Sequence, residues 1–336
     1  MLASSPSVLI IRLDAIGDAL ALTPLLAALR AKAIPVDIVL RPVNASAFSS
    51  RAARKIYEAP FALRSDARDN LAAITTFGAE LRNNAYTHVF VATEDPGGYR
   101  LARAVGAPNR IGFVNGWGKP FKTVWARSLL TRAIYRSAGL DPKAPHECEV
   151  LFKLGRPLLG DGAVPTRDPG QLRPLVIEHE AARDPRIAFQ VTDKWHRLGI
   201  PLDDVIACYK ATQSAGDVRL LSSIAEGEYA GKFAERTGAT IETFDDAERW
   251  KEAIANARAL VAPDSGALHV AGETGTPAIA VFPPENFQLQ AARWSPWASP
   301  YSIIEATSGW PDRTVPALRQ LLETSDDHQR QEPTRW

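Results

Sequence analysis

Short, mostly apolar runs alternate with amphipathic stretches along this chain, and the alternation occurs twice. Val8–Leu13 (VLIIRL), Val36–Leu40, His88–Ala92 and Arg110–Phe113 read as strands. Between them come helical patterns over residues 18–32, 72–83 and 99–105. After a Pro-, Gly- and Asp-rich stretch between residues 154 and 185, a second series begins. Its strands are Arg186–Phe189, Val218–Leu221, Ala259–Ala262 and Ala278–Phe282, and its helices cover residues 202–212, 226–237, 247–256 and 266–275. Runs this apolar suit strands buried on both faces, and strand–helix alternation predicts a parallel sheet flanked by helices. The expected fold class is α/β: two Rossmann-like, doubly wound domains facing a central cleft. The expected boundaries are 1–165 and 166–324, with a disordered tail over 325–336. A further strand is expected near Leu175–Ile177, and residues 44–70 show no clear period and are expected to include mobile loop.

The 336 residues fit two domains of about 150 residues each. Cys148 and Cys208 are too few and too far apart for a disulfide scaffold or a C-x-x-C metal site. The apolar stretch 8–29 carries Arg12, Asp14 and Asp18, which exclude a membrane span, and it follows no basic signal region. A cytoplasmic protein is expected. Charge is uneven: residues 1–150 hold 19 Lys and Arg against 12 Asp and Glu, whereas 151–336 hold 20 against 26. A basic first half suits an anionic partner, although solvated faces can produce the same imbalance.

In doubly wound sheets ligands collect at the carboxyl ends of strands, so the residues just after each strand matter most. After the first strand stand Asp14-Ala-Ile-Gly17-Asp18. Gly17 permits close approach of a ligand to the backbone, and Asp18 can either cap a helix or accept a proton from a hydroxyl. Pro24 would kink a helix running through it. In the second half, Asp264-Ser265-Gly266-Ala-Leu-His269 opens a helix whose free amides suit a phosphate, with Ser265 and His269 on one face. Thr192-Asp193-Lys194-Trp195 follows that half's first strand, where a lysine can neutralise a diphosphate. There is no H-x-x-x-H or H-E-x-x-H spacing, no Walker motif and no G-x-G-x-x-G fingerprint.

Taken together these motifs resemble the ADP-heptose:lipopolysaccharide heptosyltransferase family. The likeness lies in RLDAIGDALALTPLLAALR near the start and PDSGALHVAGETGTPAIAVF near the end. RIGF at 110–113, His146-Glu147 and Lys194-Trp195 fall between them in the expected order. The resemblance implies a GT-B fold and an inverting, metal-independent glycosyltransferase, with the first domain binding the acceptor and the second an ADP-sugar. It implies no cofactor beyond that donor, and no nucleic-acid partner is expected. Asp18 matches the family's catalytic base, and Lys194 the lysine on the donor phosphate. Asp264, Ser265, Gly266 and His269 match the donor motif, Thr192 a phosphate-contacting hydroxyl and Glu226 the ribose-binding carboxylate.

The acceptor implied is an anionic lipopolysaccharide core or another cell-envelope glycan. Gly17, Lys119 and Lys122 are its candidate contacts. Lys119 and Lys122, interleaved with Trp117 and Phe121, suit either that acceptor or peripheral contact with the inner membrane. Three segments depart from the family pattern, all on the donor side. Phe189-Gln190-Val191-Thr192 stands where H-P-G is frequent, Phe282-Pro283-Pro284-Glu285 where F-G-P-T is usual, and Leu221-Ser222-Ser223 where glycines are. They leave open a different nucleotide sugar, a protein acceptor, or a relative that binds glycan or nucleotide without turnover.

Overall fold

The computed structural model describes residues 5–137 and 145–331, the last seven of them as backbone. The chain divides into two compact units, Met1–Thr166 and Arg167–Trp336. The first holds strands β1 (Val8–Ile11), β2 (Val36–Leu40), β3 (Lys55–Glu58), β4 (His88–Val91), β5 (Asn109–Val114) and β6 (Arg132–Tyr135). The second holds β7 (Asp184–Gln190), β8 (Val218–Ser223), β9 (Ile241–Phe244), β10 (Ala257–Pro263), β11 (Ala278–Phe282) and β12 (Tyr301–Glu305).

Among the described residues each set forms one six-stranded sheet, ordered β3-β2-β1-β4-β5-β6 in the first unit and β12-β11-β10-β7-β8-β9 in the second. All the ladders are parallel. Counted from each unit's own first strand, the two orders are the same doubly wound order. In each sheet the chain starts at the centre, fills one side, then crosses over to fill the other. The switch points therefore fall between β1 and β4 and between β7 and β10.

Helices cover both faces, so β1, β2 and β11 are buried at every residue. The first core packs Leu9, Ile11, Val39, Phe77 and Tyr99. The second centres on Phe189, Trp195 and Trp310, with the two indoles stacked at 5.8 Å. Each such side chain contributes about 1.5–3 kcal/mol by leaving water.

Three local expectations need correction. The pattern over residues 18–32 is two helices, Ile16–Leu20 and Thr23–Ala31, and Pro24 sits in the first turn of the second, where it disrupts no bond. The strand expected at Leu175–Ile177 is instead the end of helix Pro169–Val176. Asp168 caps that helix through the Gly170 N–H at 2.9 Å, so the Asp-Pro-Gly sequence marks a helix start. Residues 44–70, where no period is visible, combine loop with β3 and most of the 3-10 turn Pro42–Ala47. The backbone of 325–331 continues helix Trp310–Gln331, and the rest of the expected tail lies outside the described residues.

One glycine sets the position of helix Gly266–Thr274 in the second unit. A Cβ on Gly272, in helix Gly266–Thr274, would stand 2.7 Å from the Trp297 nitrogen and 2.9 Å from Pro296 Cα, both backbone atoms. Gly272→Ala should cost about 1–3 kcal/mol and lower Tm by roughly 2–12 °C. Gly231→Ala, in helix Gly227–Thr237 with open space around it, should stabilise by about 0.5–1 kcal/mol. Thermal unfolding of the two variants checks the pair, and similar shifts would remove the close-packing argument.

Candidate functional site

At the first switch point the chain leaves β1 through Arg12, Leu13 and Asp14 and enters helix Ile16–Leu20. Arg12 is 2% exposed, and its guanidinium organises everything around it. One edge donates to the Asp18 carbonyl at 3.0 Å and to Asp18 Oδ1 at 3.1 Å. Nη1 donates to the Ala92 carbonyl, at the end of β4, and lies 3.4 Å from Asp14. Burial works against the Arg12 charge, but Asp14, Asp18 and Glu147 outweigh it and hold its pKa above the ordinary value.

Asp18 is the third residue of its helix. Ala15 occupies the N-cap, and Asp18 Oδ2 reaches back to accept the Ala15 N–H at 3.1 Å. Its carboxylate is thus held at both oxygens, yet the side chain is 29% exposed and two acceptors retain spare lone pairs. Gly17 is buried within the same helix.

Behind Arg12 lies Glu147, fully buried at the start of helix Glu147–Phe152, which His146 caps through the Cys148 N–H. Glu147 lies 3.6 Å from Arg12 and 2.9 Å from Arg136. Arg136 in turn approaches Glu94, on the loop after β4, at 3.8 Å. Glu94 also holds Lys122 at 2.9 Å, Lys119 at 3.3 Å and the Asn115 amide at 3.3 Å. Burial would raise the Glu94 pKa, but Lys122, Arg136 and Asn115 push it down to about 2. A line of alternating charge thus runs from Asp18 through Arg12, Glu147, Arg136 and Glu94 to the two lysines. Lys119 and Lys122, read from the sequence as acceptor contacts, are ion-paired within it.

At the second switch point β7 and β10 are neighbours, with Phe189 beside Val261, so the loops leaving them emerge side by side. The β10 loop carries Asp264, whose N–H donates to the Val281 carbonyl at 3.0 Å, and Ser265, the N-cap of helix Gly266–Thr274. Ser265 does not cap with its side chain, and its hydroxyl is buried without a hydrogen-bond partner among the described residues. The first amides of that helix have no intrahelical acceptor. His269, one turn on, is buried with its ring edge-on to Trp294 at 5.6 Å.

The β7 loop carries Thr192 and Lys194. Thr192 donates its hydroxyl to Glu226 Oε1 at 2.8 Å and accepts the Lys194 N–H at 3.2 Å, while Glu226 Oε2 accepts the Asp193 N–H at 3.1 Å. Glu226, in the turn after β8, is therefore fixed to the β7 loop. Burial chiefly, with Asp193 nearby, raises its pKa against the pull of Thr192. Lys194 opens a four-residue helix, and its ammonium has no ion pair or hydrogen bond among the described residues. Trp195 is driven inward, its N–H on the Gln190 carbonyl at 2.9 Å, which leaves Lys194 half-buried at the loop surface.

The sheet thus gathers Thr192, Lys194, Glu226, Asp264, Ser265 and Gly266 at the carboxyl ends of β7, β8 and β10. Asp18 and the two lysines belong to the first unit's network. The residues that sequence reasoning left out of the site are Arg12, Glu94 and Arg136, with Glu147 noted only as part of a motif. Their signal was position, because Arg12 follows β1 and Glu94 follows β4, the two strands at the switch point. Among the described residues no three His, Cys, Asp or Glu side chains are placed to hold a metal ion.

No family model matches the sequence, and no curated protein matches it. Solved structures do match in fold. A glycosyl transferase family 9 structure from Veillonella parvula superposes with a TM-score of 0.70 at 15% identity, over 96% of this chain and 99% of that one. The E. coli ADP-heptose lps heptosyltransferase II gives 0.71 at 16% identity, over 95% and 99%. The E. coli heptosyltransferase WaaC, solved with ADP, gives 0.70 at 18% identity over the same shares. The fold of this chain is accordingly that of the GT-B glycosyltransferases.

Proposed function

We propose that this protein is an inverting, metal-independent glycosyltransferase. It would move a heptose or related sugar from an ADP-sugar to a hydroxyl of a lipopolysaccharide core or other cell-envelope glycan. The observation that carries the reading is Lys194. It is a cation with no anionic partner among the described residues, on the loop beside the Ser265 helix start, at the switch point where this fold collects ligands. A diphosphate would supply the missing charge, taking the ammonium, the first helix amides and the unpartnered Ser265 hydroxyl. Glu226 would accept from the ribose, and Thr192 would keep it in place.

On this reading the leaving group is ADP, a stable anion that needs its charge neutralised rather than a proton. Lys194 and the helix dipole provide that neutralisation. Asp18, in the first unit, accepts the proton of the attacking hydroxyl as the bond to the anomeric carbon forms. Turnover should therefore survive EDTA undiminished. Activity lost to EDTA and restored by Mg²⁺ or Mn²⁺ would overturn the metal-independent mechanism.

Lys194→Ala should weaken ADP binding by about 1.5–3 kcal/mol, the worth of one charged hydrogen bond, without changing the fold. Calorimetry of ADP binding to parent and variant tests this, and equal affinities would make Lys194 an ordinary surface residue.

A different nucleotide sugar is the second reading, and one observation favours it. The atypical Pro283, Pro284 and Glu285 line a cavity of about 670 Å³ together with Arg197, Gln290 and Trp310. Thermal shifts against a panel of nucleotide sugars would separate the two readings. A ligand at a hundredfold excess over Kd stabilises by about 2.7 kcal/mol.

A further inference from the structure

The cavity of about 670 Å³ in the second unit lies at the carboxyl ends of β11 and β12, within the range of roughly 300–1,000 Å³ that small-molecule sites span. It begins one turn beyond Lys194. Leu198 donates its N–H to the Lys194 carbonyl at 3.0 Å, and Leu198, Gly199 and Ile200 line the cavity. Pro201, Pro283 and Pro284 add rings of fixed φ, so much of the wall is set before any ligand arrives.

The polar groups of this wall are left unused by the protein. Trp310 is 1% exposed and stacks on Trp195, yet its indole N–H has no hydrogen-bond partner among the described residues. Nearly all buried donors in folded proteins find an acceptor, and this one belongs to a residue that lines a cavity. Asn286 is the N-cap of helix Phe287–Trp294, where an asparagine usually binds the first helical N–H groups with its side chain. Here it stands in the left-handed region at φ +56° and makes no such bond. The side chains of Asp204, Glu285 and Gln290 likewise make no hydrogen bond or ion pair among the described residues.

Charge and hydrogen bonding together select the occupant. Among the described residues Arg197 is the only cation lining the cavity, and Asp193 already pairs with it at 2.6 Å. Asp204 and Glu285 then repel a phosphate. A simple cation offers nothing to the Trp310 N–H. What fits is a neutral group that donates to carboxylates and accepts from an indole and two amides. Hydroxyls do both, each with one donor and two lone pairs.

We propose that this cavity binds a neutral saccharide ring. Trp310 and the amides of Asn286 and Gln290 donate to its oxygens, and Glu285 and Asp204 accept from its hydroxyls. The Pro-Pro-Glu sequence after β11 thereby belongs to sugar recognition. The inference rests on the glycosyl-transfer reading only in naming a sugar among polyhydroxylated ligands; Lys194 and the diphosphate play no part in it. Two sources offer such a ring, the sugar of the nucleotide donor and a separate glycan.

The test is saturation-transfer NMR of the full chain with the methyl glycosides of glucose, mannose, galactose and N-acetylglucosamine at millimolar concentration. Transfer to at least one is expected, at a strength that added salt and inorganic phosphate leave unchanged. Asn286→Gly with Gln290→Ala should weaken that binding about tenfold, through the loss of two neutral hydrogen bonds. Glycine suits the left-handed backbone at 286, so the fold is kept. Trp310→Phe should weaken binding about threefold or more, read well below its Tm because the smaller ring loosens the core.

Calorimetry with ADP and ADP-glucose then assigns the source. A gain in affinity of ADP-glucose over ADP that the Asn286 and Gln290 double variant loses makes the ring the donor's; otherwise it belongs to a separate glycan. A parent chain that fails to bind ADP would remove the donor-site reading and leave the glycoside test standing. No transfer to any of the glycosides, displacement of the glycoside by phosphate, or full binding by the double variant would overturn the proposal.

Discussion

Asp18→Asn is expected to lower turnover by about 10²–10⁴-fold while ADP affinity stays at the parent value. The structure makes this a sharper experiment than the sequence alone allows. Asp18 is not the N-cap of its helix, so loss of an N-cap cannot account for the result; its oxygens bond Arg12 and the Ala15 N–H. Asparagine keeps the shape, and its amide oxygen can still accept one of those bonds. Arg12 would retain Asp14 and Glu147 as counter-charges, so Tm should fall by only a few degrees. What asparagine cannot do is take a proton from an attacking hydroxyl. Turnover, Tm and ADP affinity should be measured on the same preparation with acceptor saturating. A variant that turns over within a few-fold of the parent would leave Asp18 as a helix-start ligand of Arg12 and the base unidentified.

How much of this was legible in the sequence depends on burial. Of the nine strands expected, eight are the interior strands of the two sheets, and the ninth, at Leu175–Ile177, is the end of a helix. The four not read, β3, β6, β9 and β12, are the four sheet edges. An interior strand covered by helices on both faces is largely apolar, as Val8–Ile11 is, and that leaves a run visible in one dimension. An edge strand such as Lys55–Glu58 or Arg132–Tyr135 is half exposed and carries charge at one or both ends, so it reads as loop.

The site divides in the same way. Candidates placed by a strand–turn–helix junction, Ser265 and Gly266 above all, were legible because such a junction is a local pattern. Thr192 and Glu226 were legible only through the resemblance, since their 2.8 Å bond joins positions 34 residues apart. Arg12 and Glu147 show the limit of sequence reading. The apolar run around Arg12 points to burial but not to what would neutralise it, because its partners come from its own loop, from the end of β4 and from a helix 135 residues away. The departures at Pro283 and Pro284 were visible at once, but only the cavity beside them gives them a physical setting.

The largest stability effect should come from that buried network, through Glu147→Gln. Glu147 is fully buried between Arg12, itself 2% exposed, and Arg136 at 13%. Glutamine preserves shape and volume, so whatever is lost is charge. Deleting one partner from a buried ion pair typically costs about 3–5 kcal/mol, because the remaining charge stays out of water without its counter-ion. For a unit of this size that corresponds to a fall of roughly 6–20 °C in Tm. Lys119→Met supplies the contrast, since its pair with Glu94 is 49% and 30% exposed. Exposed pairs contribute about 0–1 kcal/mol, so Tm should hardly move. The same substitution at Glu147 should reach the chemistry, because Arg12 is the group that fixes the Asp18 carboxylate. Well below its melting temperature, Glu147→Gln should therefore turn over more slowly than the parent at unchanged ADP affinity, and Lys119→Met should match the parent in ADP affinity. Were Glu147→Gln to melt within about 2 °C of the parent, the alternating line of charge would be incidental packing, and the orientation of Asp18 would need another cause.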